Sequence, residues 1–229
     1  MNSHETIEFG CTLWWKMFMI TSITIVVILY LGYRFSGFRE TIANATGILL
    51  IAVAILIHPY LAYSGKWNLQ SSLPLNLCSL SGILSGVVLL KRNQLAFEFL
   101  LYWGISGAIH SLLTPELTLG SGGLLLYEYY ISHGGIIFSA LYLSIVLKMV
   151  PRKNSWLKIF LFTQILLFLV AIADRNLDAN YMYLLKKPLV HNPLIIGPWP
   201  WYILVLEIVA LIHFYLVYLI FRSLRKKDP

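Results

Sequence analysis

The chain alternates between long apolar runs and short polar segments. Seven runs are bounded by charges, prolines or glycines, at residues 13–33, 41–63, 73–90, 95–113, 127–150, 156–173 and 199–221. Because roughly 20 residues are needed to cross a hydrocarbon core about 30 Å thick, each run predicts one transmembrane helix. We therefore expect an all-α membrane protein, a single polytopic domain over residues 1–229 built as a bundle of about seven transmembrane helices.

Composition narrows the function classes. Hydrophobic residues make up 59% of the chain and charged residues only 12%, about half the charged fraction of a soluble domain. Only short loops remain between the runs, so any chemistry must take place in or at the membrane. The formal charge is +7, but the basic residues cluster at helix ends, as topology signals do. We therefore expect no nucleic-acid partner. Cys11 and Cys78 are too few for a disulfide framework and are expected to be free thiols.

The basic residues predict the orientation of the chain. Because cytoplasmic loops carry an excess of Lys and Arg, the richer set of connections should be cytoplasmic. This places the N-terminus outside and the C-terminus in the cytoplasm, which requires an odd number of spans. The richer set comprises Arg34, Arg39, Lys91, Arg92, Lys148, Arg152, Lys153, Lys158, Arg222, Arg225, Lys226 and Lys227, and the poorer set comprises Lys16, Lys66, Arg175, Lys186 and Lys187.

Polar side chains within the predicted spans fall at one depth, in the outer half of the membrane. Polar side chains in the hydrocarbon region cost free energy and usually indicate a functional site, so this layer predicts such a site. The alternative is scattered structural hydrogen bonding. His213 is the clearest polar residue predicted to lie in the inner half. The layer consists of His58, Asn76, Cys78, His110, Glu128, His133, Asp174, Arg175 and Glu207.

Cys78 is the sharpest candidate in this layer. With Ser71-Ser72 as caps and Pro74 in the first turn, the third helix would place Cys78 just past that turn, where the helix dipole favours a thiolate. An imidazole neighbour would make it a good nucleophile. His133 is favoured, since the glycines after it let another backbone or a substrate approach closely. His110 is the second choice.

Each of these residues also has a structural interpretation. Cys78 shares a face with Ser81, Gly82 and Ser85, a stripe that can serve as a helix-packing surface. His58 can satisfy a carbonyl freed before Pro59, and His110 can be a packed core residue. Cysteine with three histidines is an allowed zinc set, but no two of them show helical metal-ligand spacing, so no metal site is predicted.

The other polar positions are expected to support substrate binding. Glu207 should act as a hydrogen-bond anchor, and Asp174 and Arg175 should pair with each other or hold a lipid headgroup. The longest loop, about 174–198, precedes Trp199 and Trp201. Those two side chains form either an interfacial aromatic belt or a lid over a lipid-facing cleft.

An ordered set of short motifs carries a family resemblance. These are LPLNLCSL at 73–80, FLLYWG at 99–104, LLTPE at 112–116, ISHG at 131–134 and GPWPWY at 197–202. Over residues 57–221 the chain resembles YwaF-type bacterial integral membrane proteins. That family is similar to a vertebrate acyltransferase that moves fatty acyl chains between phospholipids, notably onto ether lysophospholipids, and more distantly to small membrane hydrolases of fatty-acid esters.

The resemblance implies a multi-pass protein of the bacterial cytoplasmic membrane with Cys78 as nucleophile. His133 matches the histidine of the Ser-His-Gly segment and would be the base. Because the hydrolases use a threonine nucleophile, Ser79 also stays a candidate.

The favoured function is acyl transfer through a Cys-His pair near the outer leaflet. The Cys78 thiolate would attack an acyl ester of a phospholipid, and a lysophospholipid hydroxyl or water would resolve the thioester. Asn76 or a free backbone N–H would stabilise the oxyanion. Arg175, Lys186 or Lys187 would contact the lipid phosphate. No cofactor is implied, and the sequence leaves the oligomeric state open.

Two other functions remain open: a non-catalytic transporter or sensor, and a scaffold whose polar layer is purely structural. Few polar residues of the inner half could carry a hydrophilic solute across, but the histidines could sense pH. Replacing Cys78 by serine discriminates these functions, because the substitution should abolish turnover in an enzyme and hardly affect a scaffold.

Overall fold

The computed structural model describes residues 4–189 and 193–224, and these residues form a bundle of seven main helices. Six are long and apolar enough to cross a membrane, whereas α3 has 15 residues and is about 22 Å long. The expected all-α membrane fold is thereby confirmed. The helices are α1 Thr12–Arg34, α2 Arg39–Tyr63, α3 Leu77–Lys91, α4 Gln94–Leu113, α5 Leu125–Val146, α6 Ser155–Leu177 and α7 Trp201–Ser223.

Polar contacts show which helix ends lie together. The starts of α2, α4 and α6 and the ends of α3, α5 and α7 form what we call the basic end of the bundle. Whether this end faces the cytoplasm stays a prediction, and Arg225, Lys226 and Lys227 lie outside the described residues. The contacts are Arg92–Glu40 at 2.8 Å, Arg152–Glu98 at 2.7 Å and Arg222–Pro151 at 2.9 Å.

The opposite end is closed by loops that bond to one another. We call these segments, residues 4–11, 64–76, 114–124, 178–189 and 193–200, the cover. A two-residue strand, β1 (Glu5–Thr6), pairs antiparallel with β2 (Glu116–Leu117). Lys66 donates to the carbonyl of Leu119 at 3.0 Å. The N-terminal tail and the α4–α5 connection therefore lie at the end of the bundle away from the basic end.

The middle of α4 is the centre of the core. Leu100, Leu101 and Tyr102 are fully buried, and Leu100–Gly104 forms a π-helical turn within the α-helix. A second π-helical turn, Tyr142–Val146, ends α5. The outer helices instead expose apolar side chains such as Val26 on α1 and Phe168 on α6, which are 64% and 66% exposed. This distribution fits a bundle whose outer surface contacts lipid tails.

Helices α2 and α3 approach each other closely at two glycines. A Cβ atom on Gly86 would lie 2.8 Å from the carbonyl oxygen of Gly47. Small residues at such a contact let helix backbones pack directly, as is common in membrane bundles. Ser81 and Ser85 of the predicted small-residue stripe are also fully buried.

The start of α3 differs from the expectation. The helix begins at Leu77, so Pro74 precedes it instead of occupying its first turn. Ser71 and Ser72 do not cap it, because both hydroxyls bond to Asn68 within the cover. Leu73 N donates to the hydroxyl of Tyr181 at 2.9 Å within the cover, and the helix begins only after this segment.

Other boundaries move by a few residues. Helix α5 ends at Val146, before the predicted limit at 150, where the chain leaves the helix through the hydrogen bond from Met149 N to Leu143 O. Helix α6 continues to Leu177, past the predicted 173, and α7 begins at Trp201 rather than at residue 199.

Candidate functional site

A cavity of about 570 Å³ lies beneath the cover and between the helices. Its walls come from α2 to α7 and from the cover, and they combine apolar side chains with a group of polar ones. The predicted site residues that line it are His58, Asn76, Cys78, His110, Glu128, His133 and Glu207. The predicted residues outside its walls are Asp174, Arg175, Trp199 and Trp201.

Cys78 is the second residue of α3, within the first turn rather than past it. The first hydrogen bond inside the helix runs from Leu80 N to Asn76 O at 3.0 Å. The N–H groups of residues 77–79 therefore have no acceptor within the helix, as at any helix start. The sulfur of Cys78 lies 3.6 Å from the hydroxyl oxygen of Ser111 on α4.

His133 is held in one tautomer. Its Nδ1 lies 2.7 Å from the carbonyl oxygen of Tyr129, one turn earlier on α5. A carbonyl only accepts, so Nδ1 carries the proton and a neutral ring keeps its lone pair on Nε2. That lone pair is what a general base needs.

The two glycines after His133 accommodate neighbouring side chains, not a backbone or a substrate. Gly134 packs against Thr21 of α1, and Gly135 packs against Leu50 of α2. In each contact a side chain of the neighbouring helix lies against a glycine of α5, and the two contacts hold α5 against α1 and α2.

Cys78 and His133 line the same cavity, but in the described chain no hydrogen bond joins them. Tyr129 connects their surroundings instead. Its ring centroid lies 4.1 Å from that of His133, and its hydroxyl donates to the carbonyl of Ser111 at 2.9 Å. Ser111 is in turn the residue whose hydroxyl contacts Cys78.

His110 pairs with His213 across α4 and α7. Their Nε2 atoms are 3.3 Å apart, and His213 Nδ1 lies 2.7 Å from the carbonyl of Val209. His213 therefore accepts at Nε2 when neutral, and His110 donates. The sequence predicted that His213 lies in the inner half of the membrane. In the structure it is about 18 Å along α7 from Trp201, the first residue of that helix. Its contact with His110, near the end of α4, shows that the helix ends lie at different levels.

The carboxyl groups of the cavity are hydrogen-bonded. Glu128 accepts from the hydroxyl of Ser132 at 2.6 Å. Glu207 on α7 accepts from Gln164 on α6 at 2.5 Å. The geometry of Glu207 is that of an anchor between two helices.

Glu116, in the cover, also lines the cavity and holds other parts of the cover together. Its Oε1 lies 2.7 Å from His4 Nε2 and 2.9 Å from Leu189 N. The hydroxyl of Tyr183 also bonds to Glu116. Burial first, and the neighbouring Glu116 carboxylate second, raise the pKa of Tyr183 above its ordinary value. Tyr183 therefore stays a neutral donor at physiological pH.

The side chains of Asn76 and His58 accept hydrogen bonds from residues of the cover. The side-chain oxygen of Asn76 accepts from Met182 N at 3.0 Å. Met182 has a positive φ of 55°, so this bond holds a turn that the chain does not adopt readily. His58 Nδ1 accepts from Trp67 Nε1 at 3.2 Å.

Four predicted residues lie outside the cavity walls. Asp174 is fully buried and accepts from Tyr181 N at 2.8 Å, and in the described residues no ion pair joins it to the exposed Arg175. Trp199 donates to the carbonyl of Leu184 at 3.0 Å, within the cover. Trp201 is 61% exposed.

Sequence reasoning missed Ser111, Tyr129 and Glu116. Tyr129 lies four residues before His133, a spacing that places both on one helix face and could have indicated the contact. Ser111 follows His110 but gave no signal of its own, since serines are common on packed membrane helices. Within the described ranges, no group of three or more His, Cys, Asp or Glu residues is arranged to hold a metal ion.

Comparison with known proteins identifies the family of this chain. The chain matches the model of the TMEM164 family over residues 8–218. No curated protein and no solved structure matches it. The YwaF-type relationship and the relation to an ether-phospholipid acyltransferase stay predictions. Because the family match covers far more than half of a sequence with six candidate membrane spans, this chain is a multi-pass membrane protein that belongs to the TMEM164 family.

Proposed function

We propose that this protein is a membrane acyltransferase that moves fatty acyl chains between phospholipids through Cys78 and His133. The observation that carries the proposal is a cysteine in the first turn of a helix, within a cavity that also presents a histidine with its Nδ1 proton fixed. The cavity volume of about 570 Å³ is typical of small-molecule sites, which span about 300–1,000 Å³.

In the first half-reaction, His133 Nε2 takes the thiol proton as Cys78 Sγ attacks the acyl carbonyl of a phospholipid. A C–S bond forms and the ester C–O bond breaks. His133 returns the proton to the leaving oxygen, which departs as a lysophospholipid hydroxyl. A buried thiolate is costly, so proton transfer and attack should be closely coupled. Substrate or a modest side-chain movement must bridge Cys78 and His133.

In the second half-reaction, an acceptor hydroxyl loses its proton to His133 and attacks the thioester. The new ester C–O bond forms, the C–S bond breaks, and the proton returns to the sulfur. A lysophospholipid as acceptor gives transfer, whereas water gives hydrolysis by the same site.

The start of α3 is the best-supported source of oxyanion stabilisation. The N–H groups of Cys78 and Ser79 lack acceptors within the helix and lie beside the attacking sulfur. Asn76 would donate to the oxyanion through its side-chain NH2 group, while its side-chain oxygen accepts from Met182 N. The lipid phosphate would lie near the cover, and we place the site at the outer leaflet of a bacterial cytoplasmic membrane.

The test is intact-protein mass spectrometry of the purified protein after incubation with mixed phospholipids. Wild type should gain an acyl mass that hydroxylamine removes. Cys78→Ala should not gain it, whereas Cys11→Ala, which removes the other free cysteine, should behave as wild type. His133→Ala should slow adduct formation by about 10²–10⁴-fold, the usual contribution of a general base.

The same samples separate the rival functions. Release of free fatty acid without a new phospholipid would make the protein a hydrolase. Equal behaviour of wild type and Cys78→Ala, both in adduct formation and in lipid turnover, would refute covalent catalysis and favour a sensor or scaffold.

A further inference from the structure

The hydroxyl of Ser111 is the polar side-chain group that contacts the sulfur of Cys78. The two atoms are 3.6 Å apart, across the interface of α3 and α4. Ser111 Oγ also donates to the carbonyl of Gly107 at 3.1 Å. A hydroxyl has one hydrogen and two lone pairs, so this donation leaves only lone pairs for the sulfur. In the resting state the Cys78 thiol is therefore the donor and Ser111 the acceptor.

Loss of the thiol proton reverses this arrangement. A thiolate only accepts, so a lone pair of Ser111 directed at it would be repulsive. Rotation about the Cβ–Oγ bond turns the hydroxyl hydrogen from Gly107 O to Sγ. Gly107 lies four residues before Ser111 within an α-helical segment, so its carbonyl keeps the backbone hydrogen bond of the helix.

The surroundings of Cys78 make this donor important. No lysine or arginine is among the described residues that line the cavity. Among the described residues, the titratable side chains that interact electrostatically with Cys78 are Tyr129 from α5 and Tyr183 from the cover, and neither is cationic. The same cavity walls also carry His110, Glu116, Glu128 and His133. Apart from the imidazolium that His133 becomes when it takes the thiol proton, stabilisation of the thiolate must then come from hydrogen-bond donors, namely Ser111 and the N–H groups at the start of α3.

The position of Ser111 is also fixed by a hydrogen bond from α5. The Tyr129 hydroxyl holds its backbone carbonyl at 2.9 Å, while the Tyr129 ring lies against His133. Gly107 lies beside the sulfur, since a Cβ at that position would be 3.4 Å from Sγ, at the limit of ordinary van der Waals contact.

We propose that Ser111 is a further catalytic residue, whose hydroxyl accepts from the Cys78 thiol at rest and donates to the thiolate during attack. This inference rests on the proposed role of Cys78 as nucleophile, and it assigns Tyr129 as the residue that positions both Ser111 and His133.

The experiment measures alkylation of Cys78 by N-ethylmaleimide as a function of pH, by intact mass, in the full chain carrying Cys11→Ser. Ser111→Ala should lower the rate at pH 7.5 about tenfold, since hydrogen bonds to charged groups are the stronger class. The pH of half-maximal rate should rise. The limiting rate at high pH should stay within about threefold of that of the parent protein. A change in access or packing would instead lower the rate at every pH.

Two variants complete the comparison. Ser111→Thr keeps a hydroxyl and should restore most of the rate at pH 7.5. Ser85→Ala removes the hydroxyl of a fully buried serine of α3. That hydroxyl bonds to the carbonyl of Ser81 at 2.7 Å and lies away from the cavity walls, so its loss should leave the pH profile unchanged.

An unchanged pH profile in Ser111→Ala would overturn the inference, as would an equal loss in Ser111→Thr and Ser111→Ala. Alkylation needs no acyl transfer, so the two proposals fail separately. A shifted profile with neither an acyl adduct nor lipid turnover that depends on Cys78 would refute the proposed function alone, and an adduct with an unshifted profile would refute the role of Ser111 alone.

Discussion

At the scale of single residues, backbone carbonyls one turn earlier set the chemistry of two imidazoles. His133 and His213 each have Nδ1 at 2.7 Å from such a carbonyl. Both therefore present Nε2 to other groups, His133 as a free lone pair and His213 as the acceptor of His110. Every helical residue has a carbonyl four positions before it, so this arrangement depends on the rotamer and could not be predicted from spacing.

Asn76 offers a prediction at the same scale. Asn76→Ala removes the acceptor of Met182 N, and an unsatisfied buried N–H costs about 1–3 kcal/mol. Asn76→Asp keeps an acceptor at a helix start, where a carboxylate is favourable, and should recover most of the stability. Thermal unfolding in detergent measures both variants. Equal losses would mean that the bond to Met182 contributes little.

At the scale of helices, polar bridges connect α7 to its neighbours. The His110–His213 bridge joins α7 to α4, and the Gln164–Glu207 bridge joins it to α6. In a membrane, water supplies no hydrophobic driving force between helices, and such hydrogen bonds contribute to helix association together with close packing.

The histidine bridge can be measured by a double-mutant cycle. His110→Ala and His213→Ala should each destabilise the protein, and the coupling energy should be about 0.6 kcal/mol and at most about 2, the range found between membrane helices. The measurement is unfolding at pH 8, where free histidines are neutral. Strict additivity of the two losses would contradict a direct bond.

The glycine contact between α2 and α3 gives a matched pair of substitutions on one helix. Gly86→Ala should destabilise by about 1–3 kcal/mol, because its Cβ would meet the backbone of Gly47. Gly82→Ala meets nothing within 4 Å and should be neutral or stabilising by up to about 1 kcal/mol. Denaturant unfolding compares them. A loss in both variants would indicate sensitivity of α3 to any added volume.

At the scale of the whole molecule, the basic residues predict which end of the bundle faces the cytoplasm. In a variant without other cysteines, Lys186→Cys in the cover should react with an impermeant maleimide added to intact cells. Lys153→Cys at the basic end should react only after the cells are opened. The reverse labelling pattern would invert the predicted orientation.

The sequence predicts the large features of this molecule better than its contacts. Seven apolar runs and their order follow from the thickness of a bilayer, and all seven correspond to helices in the structure. The polar layer followed from depth alone, and most of its members line the cavity. The predicted depth of His213 was wrong, because the helix ends do not lie at one level. Asp174 does not line the cavity, because its carboxyl group bonds to the cover instead. The partners of Cys78 depend on helix rotation, which hydropathy does not fix.

The π-helical turn at Leu100–Gly104 bears on how relatives of this chain should be aligned. A π-turn closes its hydrogen-bonded ring with one more residue than an α-turn, as a single inserted codon would produce. A relative that is one residue shorter here would have the following segment rotated by about 100°, and its counterparts of His110 and Ser111 would leave the cavity. The length of this short segment thus becomes a criterion, readable in genomes, for which relatives can retain the same site.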